Sequence, residues 1–465
     1  MTMISLIIDG KDVTSDNYFH IHNPSSGKLV IPCTSAGVEE ATQAVEAAKA
    51  AFLAWSNTKP CDRRDILLQA AEIMLSRKEE LIRYQMDDAG AGRLFAEKNL
   101  LLAVKFIKDF AGKITSIEGV VPPTAYKGLP ILDQEKNAPY ILGTRSILLP
   151  LGAGNTTILK GSELAPRCFW AIGDVFRQAG LPAGCLNVLY HRTSDAAEVT
   201  HALIAHPAVR KITFTGSTLV DSIIAATAGK YTKPVLLELG GKASAIVLND
   251  ANLETAVAGI KMGAFLNSGQ ICMSTERIVV QRAVVEDFRK VLFKCREIDY
   301  GKDSVPLVLA QEAAAEKNRR LVQTPSPKER TSFSEGGGAT MKPLVVEGVT
   351  KDMDLYWTES FGPTVSLIVV DTEEEAIEVA NDTEYGLTSA IFTRDLLRGI
   401  QVGRRIESGI YLWCGSAVHI NTLTVRDEPV YPHGGWKSSG FGRFGGNSAY
   451  DEFLQFKTIT WSEKR

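Results

Sequence analysis

Two side chains in the stretch from Val235 to Ser274 have the chemistry to act as a pair. Glu238 sits in Leu236-Leu237-Glu238-Leu239-Gly240-Gly241-Lys242, an apolar run that would normally exclude a charge. A carboxylate desolvated there is expected to have a raised pKa and to serve as a base near neutral pH. Cys272 follows Asn267-Ser268-Gly269-Gln270-Ile271, a turn-forming stretch able to present a thiolate to backbone N–H donors. The glycine pair Gly240-Gly241 leaves room for another backbone or a ligand to come close. Taken singly, a cysteine is more often a small buried hydrophobe, and a Glu between leucines can be the exposed position of an alternating strand. Together they define a nucleophile and a general base that can be tested as a pair.

The strings LELGGK and NSGQIC closely resemble the two active-site signatures of the NAD(P)-dependent aldehyde dehydrogenase superfamily. The likeness runs from about Ile21 to Trp461 and is strongest to the branch acting on aromatic aldehydes such as salicylaldehyde or vanillin. It implies an α/β fold with a Rossmann-type nucleotide-binding domain (residues 1–118 and 139–236), an α/β catalytic domain (237–443) and a small β oligomerisation element (119–138 and 444–465). It also implies a reaction. Cys272 attacks an aldehyde, hydride passes to NAD, and water activated by Glu238 hydrolyses the thioester to the acid. The oxyanion is held by the Cys272 N–H and the side-chain amide of Asn137.

Further residues carry over from the family patterns to the cofactor. Lys160 and Glu163, in Lys160-Gly161-Ser162-Glu163, match a pair that contacts the adenosine ribose. A carboxylate accepts hydrogen bonds from ribose hydroxyls and repels a 2′-phosphate, so Glu163 favours NAD over NADP. Gly216, Ser217 and Thr218 follow a strand and open a helix, where backbone N–H groups attract a pyrophosphate. Leu239 belongs to the same cofactor set. In Glu359-Ser360-Phe361-Gly362-Pro363, Glu359 matches the residue that binds the nicotinamide-side ribose, and Phe361 the one that packs by the ring. Asp221 stands where the family has glycine; it would either disfavour a nearby pyrophosphate or lie exposed on its helix.

The composition narrows the class. With 465 residues the chain suggests two or three structural units, and 45% hydrophobic with 23% charged residues is ordinary for a globular protein. A net charge of -3 leaves no basic footprint for nucleic acid or membrane. Seven scattered cysteines without CxxC spacing argue against a disulfide framework or structural zinc, and no metal site is expected. No signal peptide or spanning run is evident, so a cytoplasmic protein is the default. A homodimer or homotetramer is implied by the resemblance alone.

Apolar spacing predicts a hairpin at Asp9-Gly10 and helices over Val38 to Trp55, about Asp62 to Tyr84 and about Arg93 to Phe110. Strands at Thr156 to Lys160, Leu186 to Tyr190, Lys211 to Phe214, Arg277 to Val280, Val365 to Asp371 and Ser389 to Thr393 alternate with helices, as in a parallel sheet with ligands at the strand carboxyl ends. Two departures from the family stand out. The apolar strand and Trp expected before Asn137 are missing, and Tyr411 to Val418 is an aromatic, apolar insertion. They keep two other readings open: an impaired relative acting as a binding or assembly partner, and a cofactor-independent ester or thioester hydrolase.

Overall fold

A computed structural model describes residues 2–116, 131–133, 138–299, 307–323, 337–408, 417–446 and 449–455. The N-terminal hairpin forms as expected, β1 (Leu6–Ile8) pairing with β2 (Lys11–Val13) around Asp9 and Gly10. Strands β3 (Tyr18–His22) and β4 (Leu29–Thr34) make a separate antiparallel pair. Helix α1 (Val38–Ser56) follows, burying Ala41, Val45, Ala48, Phe52 and Trp55 on one stripe. The single helix expected over Asp62 to Tyr84 is two, α2 (Pro60–Ser76) and α3 (Lys78–Ala89). The break falls at Arg77, whose guanidinium is drawn to Glu80 and, across the interface, to Asp174 at 2.7 Å. Helix α4 (Arg93–Lys113) completes this layer.

The large sheet holds β5 (Ile131–Asp133), β6 (Thr157–Lys160), β7 (Leu186–Leu189), β8 (Lys211–Thr215) and β9 (Val235–Glu238), with α5 (Pro139–Gly152), α6 (Pro166–Gln178), α7 (Ala196–Ala205) and α8 (Thr218–Lys230) as connections. With β18 (Gly440–Phe441) at one edge, its order is β18-β9-β8-β5-β6-β7-β1-β2, parallel from β9 to β7. The order reverses between β5 and β8, which is the switch point where open α/β sheets bind ligands. Two expectations are corrected here. The first strand of this unit is present, as the short Ile131–Asp133 at the sheet centre, so this segment is not part of an oligomerisation strand. The edge strand β18 (Gly440–Phe441) comes from the presumed catalytic segment and pairs antiparallel with β9.

A second sheet, β14-β15-β11-β10-β16-β17, is parallel throughout. It comprises β10 (Ala243–Val247), β11 (Thr275–Gln281), β14 (Leu344–Glu347), β15 (Thr364–Val370), β16 (Thr388–Phe392) and β17 (Ala417–Ile420), with β12 (Leu307–Val308) and β13 (Thr340–Met341) as a side pair. Helix α9 (Leu253–Phe265) leads from β10 into the turn that carries Cys272. Within the Tyr411 to Val418 insertion, Ala417 and Val418 are the first residues of β17; the rest lies outside the described residues. Phe444, Ala449, Tyr450 and Phe453 of the tail pack in the core of the first sheet, and the expected last strand lies outside the described residues. No helix among the described residues is long and apolar enough to cross a membrane.

Candidate active site

Strand β9 ends at Glu238, and its backbone continues into Gly240 and Gly241 beneath the Cys272 turn. A Cβ on Gly241 would stand 2.6 Å from the Cys272 carbonyl oxygen, and one on Gly240 would stand 2.5 Å from a Glu359 carboxylate oxygen. The Gly241 approach is to backbone and needs glycine, whereas a side chain at Gly240 would displace the Glu359 carboxylate. The Cys272 turn is itself unusual: Asn267 (φ 50°), Ser268 (φ 59°) and Gly269 (φ 72°) are all left-handed. Such a run in non-glycine residues stores strain and is characteristic of functional turns. Ser268 and Gln270 anchor it by donating to the carbonyl of Val308, at 2.8 and 3.4 Å.

Cys272 and Glu238 line one cavity of about 600 Å³. Gly216, Ser217, Leu239, Glu359 and Phe361 line it too, so seven of the sequence-derived site residues meet in one space. Gly216 and Ser217 stand at the start of α8, and the Gly216 N–H is spent on the Glu238 carbonyl at 3.0 Å. Thr218 is turned to the C-terminal segment, its hydroxyl 3.4 Å from the Ser438 carbonyl. Lys160 is fully buried at the end of β6, Glu163 lies just beyond it, and neither lines the cavity. Asn137 lies outside the described residues, immediately before the cavity-lining Ala138.

The electrostatics of Glu238 overturn the expectation of a raised pKa. Burial does oppose its charge, but the Arg145 guanidinium and the His433 ring hold it down to about 2. Arg145 Nη2 pairs with Glu238 Oε2, and Arg145 Nη1 lies 2.9 Å from Asp427 Oδ2. His433 Nε2 lies 3.0 Å from Glu238 Oε1, and its Nδ1 lies 3.9 Å from Asp427 Oδ1. Arg145, Asp427 and His433 were not anticipated, although all three line the cavity. One signal was available: Arg145 is the single charge in α5, PYILGTRSILLPLG, the same anomaly that drew attention to Glu238. Asp427 and His433 sit in coil, where no periodicity marks them.

On the cofactor side, burial and the neighbouring charge of Glu276 push Glu359 up to about 7. Its Oε1 accepts from the Gly241 N–H at 2.7 Å. Lys242 is buried and donates to Glu276 Oε2 at 2.7 Å and the Thr358 carbonyl at 2.8 Å, tying β10 to the Glu359 loop. Asp221 is buried rather than exposed on α8, and burial pushes its carboxyl up to about 6. The N-terminus of α8 with Ser217 at its N-cap, the glycine pair beside Glu359 and the cavity joining them to Cys272 fit a dinucleotide. Among the described residues no group of three or more His, Cys, Asp or Glu is arranged to hold a metal ion.

The chain is similar to known proteins along nearly its whole length. The aldehyde dehydrogenase family profile matches residues 12–459. A vanillin dehydrogenase of Pseudomonas sp. (strain HR199 / DSM 7063) is 37% identical over 479 aligned positions, covering 99% of this chain and 98% of that protein. A salicylaldehyde dehydrogenase of Pseudomonas sp. (strain C18) is 36% identical, covering 97% of this chain and 95% of that protein. The crystal structure of a salicylaldehyde dehydrogenase from Pseudomonas putida G7 complexed with salicylaldehyde superposes with a TM-score of 0.93 at 34% identity, covering all of both chains.

Proposed function

This chain belongs to the aldehyde dehydrogenase family and is an aldehyde-oxidising oxidoreductase, and on that premise we propose that its substrate is a hydrophobic, aromatic aldehyde and its cofactor NAD. The single observation that carries the reading is the shared cavity in which Cys272, Glu238, the start of α8 and Glu359 meet. Its apolar walls, Phe95, Leu102, Ile141, Leu142 and Met273 among them, suit an aromatic ring, and the relatives named for vanillin and salicylaldehyde favour the same class.

Cys272 is the nucleophile. Its Sγ adds to the aldehyde carbon, and the oxygen that gains charge is held by the Cys272 N–H and, following the family pattern, by the Asn137 amide. A bound dinucleotide supplies the two-electron acceptor that makes the adduct a thioester. The N-terminus of α8 at Ser217, preceded by Gly216 whose own N–H is taken by the Glu238 carbonyl, would hold its pyrophosphate, Glu359 would hold its nicotinamide-side ribose, and Leu239 and Phe361 would pack by the ring. Following the family pattern, Lys160 and Glu163, which do not line this cavity themselves, would take the adenosine ribose. The family uses NAD or NADP; the Glu163 carboxylate, which repels a 2′-phosphate, favours NAD. Glu238 accepts the proton of the water that attacks the thioester, and the acid leaves as the C–S bond breaks.

The test is to mix the protein with NAD and a panel of benzaldehyde-type and aliphatic aldehydes while following absorbance of the reduced cofactor. Turnover fastest on the aromatic aldehydes and abolished by Cys272→Ala is the expected result. No turnover together with no NAD binding would contradict the proposal.

A further inference from the structure

Glu238 closes a buried ring of four charges contributed by four parts of the chain. Arg145 (α5) bridges Glu238 (end of β9) and Asp427, and His433 sits between the same two carboxylates on the other side. Side-chain exposure is 2% for Glu238, 1% for Arg145, 6% for Asp427 and 11% for His433, so water screens little within the ring. The main chain that carries this imidazole is paired on both sides: the His433 backbone N–H donates to the Phe444 carbonyl at 2.6 Å, and the Phe444 backbone N–H donates to the His433 carbonyl at 2.8 Å. The Phe444 ring in turn lies 4.8 Å from the Arg145 guanidinium, which fixes the second cation.

The charge of this ring decides whether Glu238 can take up a proton. With His433 protonated, two cations balance two anions, and a proton added to Glu238 would leave the buried ring net positive. With His433 neutral, the ring carries one net negative charge, and the same proton neutralises it. On the dehydrogenase reading above, we propose that His433 is a positioning residue for deacylation: Glu238 acts as base only while His433 is neutral, and the proton it takes from water passes on to His433 Nε2. In the step, the water oxygen bonds to the thioester carbon and one of its O–H bonds breaks toward Glu238. The C–S bond then breaks with its electron pair kept on Sγ, and the proton moves across the 3.0 Å gap to the imidazole.

His419 on β17 is pushed down to about 4 by burial and by Arg426, so it stays neutral through the working range. The Arg443 guanidinium donates to the Gly435 and Gly442 carbonyls, and its pull on Glu238 is weaker than those of Arg145 and His433. Burial disfavours the charged His433, but Glu238 and Asp427 outweigh it and raise its pKa above the ordinary histidine value of 6.5.

The experiment measures single-turnover hydrolysis of the acyl-enzyme formed from benzaldehyde and NAD across pH 5 to 9, in wild type and His433→Gln. The His433 ring proton is followed by NMR in the same intact protein. Hydrolysis in the wild type should rise with pH through one titration that coincides with that of His433. His433→Gln should remove this limb and slow hydrolysis at high pH by about 10²-fold, while the preceding formation of reduced cofactor falls by less than about tenfold. A limb that persists in His433→Gln, or that titrates apart from the His433 resonance, would overturn the proposal. If the variant does not fold, the coincidence of the two wild-type titrations decides. Absence of reduced cofactor with every aldehyde would instead count against the dehydrogenase reading; p-nitrophenyl acetate, which acylates a reactive cysteine without cofactor, then reads the same hydrolytic limb.

Discussion

The residue that most changes the physical account is Glu238, an ionised carboxylate held by Arg145 and His433 rather than a neutral acid in an apolar pocket. Its pKa of about 2 in the fold lies below the ordinary 4.5, so its contribution to stability is complete above pH 4.5 and is lost as pH falls from there toward 2. That contribution is on the order of 3 kcal/mol. Thermal unfolding of wild type and Glu238→Gln should therefore differ at pH 6 and converge near pH 2; a constant difference across that range would contradict the pairing. Glu163 makes a second claim at this scale. Glu163→Ser removes the charge that repels a 2′-phosphate, and the ratio of kcat/KM for NADP over NAD should rise by about tenfold or more. An unchanged ratio would remove Glu163 from the cofactor site.

At the scale of elements, the site is assembled from strand ends. Glu238 terminates β9, Gly216 follows β8, and Lys160 ends β6, all at carboxyl ends near the reversal of strand order. The glycine pair after β9 fits this strand against the Cys272 turn with no room for a methyl group. Gly241→Ala should cost about 1–3 kcal/mol through overpacking and should lower kcat by about 10²-fold by displacing the nucleophile. A folded variant with full activity would refute the tight fit. Much of this was legible in the sequence, because alternating strands and helices betray a parallel sheet and a charge inside LELGGK betrays a site. Two things were not. The strand Ile131–Asp133 is too short and too flanked by proline and charge to show a period, and only its pairing to β6 and β8 identifies it. The partners of Glu238 come from α5 and from coil distant in sequence, and a lone His or Asp in coil carries no pattern; the depressed pKa they produce was hidden with them.

For the whole molecule, the unpaired apolar surface bears on assembly. Leu219 and Ile223 on α8 are 76% and 62% exposed, one turn apart on one face of a helix that begins at the cofactor site. We expect this face to lie between subunits of the homodimer or homotetramer that the family resemblance implies. Light scattering on Leu219→Glu/Ile223→Glu should report monomers where the wild type is larger; a wild-type monomer would contradict this.

The proposed reaction runs through a covalent acyl group on Cys272 that Glu238 helps to remove. Its most direct measurement is mass spectrometry of Glu238→Gln quenched after mixing with NAD and benzaldehyde. One benzoyl group per chain is expected, carried on the peptide containing Cys272 and absent when NAD is omitted. Reduced cofactor formed without any such adduct would contradict it.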